Sequence, residues 1–336
     1  MTPKVMIILG SASDLKIAEK AIDILEELQI SYSLKIASAH RTHSIVREIV
    51  LKATEEGVDV FIGIAGLAAH LPGTIVAYTH KPVIGVPVDV KVGGIDALLS
   101  SVQMPFPAPV ATVGIDRGDN AAILAGQIIG ISDENIRNNI SKLRKFYQDK
   151  VINSEKEVLK TLDGEYLNKD FLDVDSLDIS SSKSINHRES KPDVAILPGS
   201  HSDMAVAKKV AIILDRLKIK YDMRVISPIR HPNKFEKYVK ELDDAKLFIA
   251  ISGLSAHVTG GLVGLSEKPI IGVPCSKDIS MDALFSMINM PPGVPVGTVG
   301  LNNGRNGGIL AAEILALSNE RLEESLKNIK YKTANL

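Results

Sequence analysis

The sequence predicts an α/β protein that contains two tandem copies of one domain, each a three-layer sandwich around a parallel sheet. Two observations carry this prediction. Short motifs recur in the same order 186–189 residues apart, and within each copy short apolar runs alternate with segments of helical periodicity. Strands that alternate with helices are typical of a parallel sheet with helices on both faces.

The duplication rests on matched segments that keep their order and spacing. The clearest pairs are Gly10–Asp14 with Gly199–Asp203, Ser38–Arg41 with Ser227–Arg230, Gly66–His70 with Gly253–His257, and Lys81–Pro87 with Lys268–Pro274. A repeat of this length is a whole domain and not a solenoid unit. We therefore expect a first domain with a helical tail over 1–162, a linker over 163–190 and a second domain over 191–336. These two domains are called the first copy and the second copy.

The first copy opens with a strand at Val5–Leu9, a continuous apolar run of the kind found in buried parallel strands. Ser13 and Asp14 then offer N-caps to a helix. The later strands are predicted at Tyr32–Ala37, Val58–Ile64, Val83–Val86 and Val110–Val113. The later helices are predicted at Thr42–Glu55, in a Gly/Ala-rich segment after the third strand, near Ile95–Val102 and at Asn120–Ile129. This alternation is typical of a doubly wound, flavodoxin-like sandwich.

A charged helix is predicted after the first sandwich, at Asp133–Leu162. Its apolar stripe is expected to pack on a neighbouring domain and comprises Ile136, Ile140, Leu143 and Tyr147. The following segment loses periodicity and contains Ser180–Ser182, which is typical of a linker. The second copy begins with its own strand at Asp193–Leu197 and ends in a shorter tail helix at Arg321–Ile329.

Composition excludes several classes of function. The net charge is −1 and no long basic run occurs, so nucleic acid is not an expected partner. Cys275 is the only cysteine, which excludes an intramolecular disulfide and fits a reducing compartment. No apolar stretch reaches the length of a membrane span, and the N-terminal apolar run is too short for a signal peptide. We expect a cytoplasmic protein with no membrane contact.

Three loops with ligand-type residues follow three consecutive strands of the first copy, where doubly wound folds bind their ligands. Gly10–Asp14 offers hydroxyls and free amides for a phosphate, and Asp14 suits a ribose hydroxyl. Ser38–Arg41 supplies an arginine for a phosphate and, in His40, a candidate general acid or base. Ile64–Gly73 is rich in small residues that let a flat ligand approach the backbone.

Each loop also has a simpler interpretation. The first could only cap a helix, His40 could be a surface histidine beside a structural arginine, and His70 could only brace its loop. Together, three such loops at adjacent strand ends favour a binding site. No metal is expected, because His40 and His70 lie on different loops without a carboxylate cluster. No Walker or GxGxxG sequence occurs, so ATP and NAD are not expected, and no other cofactor is implied.

In these motifs the chain resembles the N5-carboxyaminoimidazole ribonucleotide mutase family, the catalytic subunit family of phosphoribosylaminoimidazole carboxylase. The match spans 5–130 with every motif in order and 193–317 more loosely. The motifs that carry it are Gly10–Asp14, Ser38–Thr42, Ala65–Gly73, Pro82–Val88 and Val102–Pro105. The resemblance implies an enzyme of de novo purine biosynthesis that acts on a small ribonucleotide without cofactor or metal.

The resemblance also implies residue roles. A carboxylate moves from the exocyclic nitrogen of the imidazole ribonucleotide to ring carbon 4, and His40 matches the histidine that relays the proton. Ser11, Asp14 and Arg41 match positions that hold phosphate and ribose. The positions that line the base are matched by Ser13, Ser38, Ala39, Leu67, Ala68, His70 and Leu71.

Two details separate the family's classes. The related carboxylases that use CO2 directly have lysine after the loop histidine and an Arg-Ser-Asn loop. This chain has Arg41 and Ala68–Gly73 at those places, which favours the mutase class. Leu67 stands where the mutase pattern has glycine, so it narrows the pocket or shifts the loop. A direct CO2 carboxylase, an enzyme that carboxylates another aromatic nucleotide and a non-catalytic nucleotide-binding scaffold remain alternatives.

The second copy departs further from the family pattern. Ser200, Asp203 and Arg230 persist, so a phosphate could still bind at this vestigial site. Ile229 replaces the histidine, and we therefore expect this copy to be catalytically inactive. Family members are octamers of single domains, so the resemblance implies a homo-oligomer in which four tandem chains form the same shell.

Overall fold

The computed structural model describes residues 2–161, 191–276 and 281–334. The predicted linker, 163–190, lies outside the described residues. Each copy is a parallel five-stranded sheet covered by helices on both faces, so the predicted α/β class and flavodoxin-like architecture are confirmed. Within the described part of the chain, no helix is long and apolar enough to cross a membrane.

The elements of the first copy follow the predicted order. Its strands are β1 (Val5–Leu9), β2 (Tyr32–Ile36), β3 (Val60–Gly66), β4 (Val83–Val88) and β5 (Ala111–Thr112). Its helices are α1 (Leu15–Glu27), α2 (His43–Glu55), α3 (Leu71–Ala77), α4 (Ile95–Val102), α5 (Gly118–Ile129) and the tail α6 (Glu134–Thr161). Short 3₁₀ turns precede α1 and α4, at Ala12–Asp14 and Val92–Gly94.

The second copy repeats this plan. Its strands are β6 (Val194–Pro198), β7 (Tyr221–Met223), β8 (Leu247–Ser252), β9 (Ile270–Pro274) and β10 (Gly297–Thr298). Its helices are α7 (Met204–Arg216), α8 (Pro232–Glu241), α9 (His257–Leu265), α10 (Asp282–Ile288), α11 (Gly304–Ala316) and the tail α12 (Glu320–Ala334). The end of α12 reaches beyond the predicted tail helix, and the start of β3 lies two residues later than the prediction.

The two sheets join into one. The strand order is β2-β1-β3-β4-β5-β10-β9-β8-β6-β7, and every pairing within a copy is parallel. Among the strands of the described residues, one pairing is antiparallel, and it joins Thr112 of β5 to Thr298 of β10. Both copies therefore share one continuous sheet around a pseudo-two-fold axis. A separate cluster of buried apolar side chains spans this junction. It comprises Leu98 and Val102 on α4 and Leu284 and Ile288 on α10.

Each tail helix packs on its own copy and also forms polar contacts with the other copy. On α6, Arg144 donates through its guanidinium to the carbonyls of Val263, Gly264 and Ser266 in the second copy, at 2.7–2.8 Å. On α12, Lys330 donates to the Thr79 carbonyl of the first copy at 2.8 Å. The apolar stripe of α6 lies partly on the first copy itself, since a β-carbon built at Gly126 would lie 3.0 Å from Ile140 Cδ1. At its far end, Tyr147 contacts Gly293 of the second copy.

Candidate active site

The three ligand-type loops meet because β2, β1 and β3 are neighbours in the sheet. Backbone hydrogen bonds continue past the ends of the strands, from Ala37 N to Leu9 O and from Gly10 N to Ile64 O, both at 2.9 Å. Each loop therefore starts from a fixed point at the same edge. The predicted residues His40, Arg41 and His70 lie at this edge and are exposed.

His40 and His70 face one another across two of these loops. His40 Nε2 lies 2.9 Å from His70 Nδ1, and the two rings meet edge to face with centroids 5.0 Å apart. Only one of the two nitrogens can carry the shared hydrogen when both rings are neutral, so each ring constrains the tautomer of the other. The sequence indicated two separate loop histidines, and the structure brings them together as a pair.

Arg41 is oriented by the neighbouring loops. Its side chain donates to Ser38 Oγ at 3.4 Å and to the Gly10 carbonyl at 3.4 Å. Its backbone N–H donates to the same Ser38 hydroxyl at 3.3 Å. These long contacts leave much of the exposed guanidinium turned toward solvent above the first loop. A planar guanidinium placed there suits an incoming phosphate or carboxylate.

Asp14 is buried below the first loop and does not cap α1 with its side chain. Ser13 Oγ donates to its carboxylate at 3.0 Å. Burial raises the pKa of the Asp14 carboxyl, and hydrogen bonds from Ser13 and from the backbone near Ser11 oppose this rise. Ser11 caps the 3₁₀ turn that precedes α1, since its hydroxyl accepts from Ser13 N at 3.3 Å. The first loop is therefore preorganised by its own side chains.

The remaining predicted residues divide by exposure. Leu67 and Ala68 are exposed at the rim, whereas Leu71, the first residue of α3, is buried in the core. Ala39 is half-buried and packs against the same core. Leu67 has a φ of 57°, in the left-handed region that favours glycine. The family's glycine at this position therefore has a conformational reason, which the sequence alone could only register as a departure.

The matching site in the second copy keeps the arginine and loses the histidine pair. Arg230 donates to the Gly199 carbonyl at 2.7 Å, and Ser200 and Asp203 close a capping box. His257, which matches His70, contacts Ser255 Oγ at 2.8 Å instead of a second ring. Ile229 is 64% exposed where His40 stands in the first copy.

Two further findings bear on ligands. Among the described residues, no group of three or more His, Cys, Asp or Glu side chains could hold a metal ion. A concavity of about 390 Å³ opens beside α8 in the second copy, with Arg224, His231, Lys234 and Lys237 in its lining. It includes none of the predicted site residues.

Sequence reasoning missed how closely the second copy approaches the first-copy site. Asn303 and Asn306 on the second copy donate to backbone carbonyls of Met104 and Pro105, which follow α4 in the first copy. The Met-Pro pair repeated at 290–291 signals that this loop matters in both copies. Nothing local in the sequence identifies its partners, which lie about 200 residues further along the chain.

Comparisons with known proteins agree with the duplication. The family model described as AIR carboxylase matches residues 4–150 and again 193–335. A protein of Methanobrevibacter smithii called "Probable N5-carboxyaminoimidazole ribonucleotide mutase" is 56% identical over 339 residues, which cover 100% of both chains. The N5-carboxyaminoimidazole ribonucleotide mutase of Methanocaldococcus jannaschii is 56% identical over 154 residues, covering 46% of this chain and 96% of that protein. A crystal structure of Treponema denticola PurE is 28% identical with a TM-score of 0.40, covering 46% of this chain and 96% of that chain.

Proposed function

The chain belongs to the AIR carboxylase family through both of its copies, and we propose that it is an N5-carboxyaminoimidazole ribonucleotide mutase of purine biosynthesis. The product is 4-carboxy-5-aminoimidazole ribonucleotide. The observation that carries the proposal is the His40–His70 pair beside Arg41 at the strand ends of one copy only. The mutase name of the full-length Methanobrevibacter smithii relative supports the same reaction.

The reaction is an isomerisation and requires no oxidant or reductant. The bond between the exocyclic nitrogen and the carboxylate carbon breaks, and a bond from ring carbon 4 to that carbon forms. Carbon 4 loses a proton and the exocyclic nitrogen gains one. A single group that first gives and then takes a proton can serve both steps. We assign this role to His40, because its ring lies at the open edge and is held at 2.9 Å by His70.

The other residues bind and orient the substrate. Arg41, Ser11 and the buried Asp14 would hold phosphate and ribose, because they combine a guanidinium, a hydroxyl and a carboxylate around one loop. Ser13, Ser38, Ala39, Leu67 and Ala68 would surround the base, with His70. Leu71 would act from below, since its side chain packs into the core and supports α3.

The decisive experiment compares turnover of the carbamate nucleotide in matched histidine variants. His40→Asn should lose at least about 100-fold in kcat while retaining substrate affinity, because a general acid–base contributes about 10²–10⁴-fold. His43→Asn is the control, since His43 is exposed on the adjacent helix and lies against Tyr78, 3.0 Å from its hydroxyl. A His40→Asn enzyme with a near-normal kcat would refute the assignment of His40 as the general acid and base.

The same assay separates the rival chemistry. If activity requires bicarbonate and ignores the carbamate nucleotide, the chain is a direct CO2 carboxylase. If wild-type protein binds the nucleotide without turnover under either condition, it is a binding or scaffold protein.

For the second copy we propose phosphate binding without catalysis. Arg230 keeps the contact that Arg41 makes with the glycine carbonyl of the first loop, and Ser200 and Asp203 remain beside it, whereas exposed Ile229 can transfer no proton. We also propose a homo-oligomer of four tandem chains, for which light scattering should give about four times the 36.2 kDa chain mass. Apolar side chains exposed at the site edge support association, among them Val92 at 74% and Leu254 at 80%.

A further inference from the structure

The loop Gln103–Phe106, called the 103–106 loop, lies between the two copies. On its second-copy side, Asn306 Nδ2 donates to the carbonyls of Met104 and Pro105, both at 3.1 Å. Asn303 Nδ2 also donates to the Met104 carbonyl at 3.0 Å. Asn306 is only 1% exposed, so these bonds form without competition from solvent. The loop is therefore held by side chains of the inactive copy.

On its first-copy side, the same loop reaches the helix that carries His70. A β-carbon built at Gly73 would lie 3.2 Å from Met104 Cε and 3.3 Å from its sulfur, so Met104 covers this glycine. His70 is the N-cap residue of that helix, α3, three positions before Gly73. Pro72 rests on the sheet, since β-carbons built at Gly63 and Gly85 would lie 3.2 Å and 3.5 Å from its ring. The start of α3 is therefore packed between the sheet and the Met104 side chain.

The equivalent contact in the opposite direction, from the first copy to the second-copy loop, shows whether this arrangement is common to both copies. Asn120 of the first copy donates to the carbonyls of Met290 and Pro291 at 3.3 Å and 2.9 Å. The amide bridge is thus present in both directions. However, a β-carbon built at Gly260, which matches Gly73, would meet nothing within 4 Å. The close contact of the bridged loop with the glycine of the helix is thus found at Gly73 and not at Gly260, and Met290 packs instead against the apolar cluster that includes Val258 and Leu262.

A second asymmetry distinguishes the two bridges. Asn120 Oδ1 accepts from Gly293 N at 3.0 Å, so that amide is paired on both sides. The residue that matches Gly293 in the first copy is Pro107, which has no N–H to donate. Within the described part of the chain, Asn306 Oδ1 is buried and has no hydrogen-bond partner. Asn306 acts on the 103–106 loop only as a donor, and the loop carbonyls alone set the direction of its amide.

We infer that the second copy positions the histidine pair of the first copy, with Asn306 and Asn303 as the positioning residues. Their amides hold the Met104 backbone, and the Met104 side chain packs against the start of α3. The start of α3 in turn orients His70 toward His40. This inference rests on the proposed role of His40. A displacement of about 1 Å at a reacting group can cost about 100-fold in rate, so a bridge remote from the substrate can control turnover.

The test compares two variants that remove the same amide from opposite copies. Asn306→Ala should lower kcat about 10- to 100-fold with KM changed less than about threefold, because Arg41 and the first loop are untouched. Asn120→Ala should keep kcat within about twofold, although it loses the equivalent bonds to the second-copy loop. Thermal unfolding of both variants measures the purely structural effect, which should be at least as large in Asn120→Ala, because that variant also loses the hydrogen bond to Gly293 N.

A spectroscopic readout separates this inference from the proposed function. In protein with ¹⁵N-labelled histidine rings, the signals of the His40–His70 pair should shift in Asn306→Ala and stay unchanged in Asn120→Ala. This measurement needs no turnover, so it holds even if the wild type proves inactive in the mutase assay. Equal kcat values and unchanged ring signals in the two variants would overturn the positioning role.

If Asn306→Ala does not fold, Asn303→Ser answers the same question. In the wild type, Asn303 Oδ1 accepts from the Asn306 backbone N–H at 3.1 Å, and a serine hydroxyl can still accept this bond. Serine lacks the side-chain amide that donates to the Met104 carbonyl. A severalfold loss in kcat with shifted ring signals supports the inference. Wild-type kcat and unshifted signals in this variant refute it.

Discussion

A buried carboxylate at the contact between the copies should make the protein less stable as the pH rises. Glu313 on α11 has no exposed surface, and Lys330 Nζ lies 2.7 Å from its Oε1. Burial raises the pKa of Glu313 to about 7, and the Lys330 ammonium opposes this rise. The matching residue of the first copy is Gln127, which cannot ionise.

The size of the effect follows from the pKa difference between the folded and unfolded states. The unfolded chain loses this proton near pH 4.5 and the folded protein near pH 7. Between these values the folded state binds more protons, so the free energy of unfolding falls as the pH rises. At about 1.4 kcal/mol per pKa unit, the loss is about 3 kcal/mol once the pH is above 7.

Glu313→Gln should remove this loss and place the first-copy residue in the second copy. Urea unfolding at pH 8 should show the variant more stable by up to about 3 kcal/mol, with the difference close to zero near pH 4. Glu324→Gln is a control, because Glu324 is exposed on the neighbouring tail helix. A stability difference that does not change with pH, or a variant less stable than wild type at pH 8, would refute the reasoning.

Two further predictions concern backbone positions. A β-carbon at Gly118 would lie 2.1 Å from the Ile17 carbonyl oxygen, so Gly118→Ala should force α1 and α5 apart and cost about 3 kcal/mol or more in thermal unfolding. Gly264→Ala, where a β-carbon meets nothing within 4 Å, should be neutral or stabilising, and equal losses in the two variants would contradict this account. Leu67→Gly should raise the free energy of unfolding by about 1 kcal/mol, because glycine adopts the left-handed φ of this position without strain. The leucine side chain is 48% exposed, so its removal should cost little packing. A lower Tm would show that the side chain packs against a partner.

Local patterns were sufficient for the elements and for the edge where the candidate site lies. The apolar run Val5–Leu9 is β1 to the residue, because a strand buried on both faces is continuously apolar. The loops after β1, β2 and β3 were expected together, since parallel strands place their carboxyl ends at one edge. The strand β5 is shorter than the predicted Val110–Val113, because only two of its residues find a partner strand.

Contacts between distant segments were beyond any local pattern. The apolar stripe of α6 could not show that the helix packs on the first copy through Ile140 and reaches the second copy through Arg144. The pairing of Thr112 with Thr298 depends on how the two sheets meet, and each strand alone is compatible with an isolated edge. The hydrogen bond between His40 and His70 depends on the rotamers of two loops that are 30 residues apart.

The sequence by itself determined the duplication, the doubly wound fold of each copy and the copy that retains a histidine beside its arginine. These are properties of residue order and periodicity, which survive without coordinates. Only the tertiary structure decided that the two copies share one sheet, are linked by polar contacts of both tail helices and meet at the 103–106 loop. Such contacts join residues up to about 250 positions apart, and their partners are chosen by burial and geometry in the folded chain.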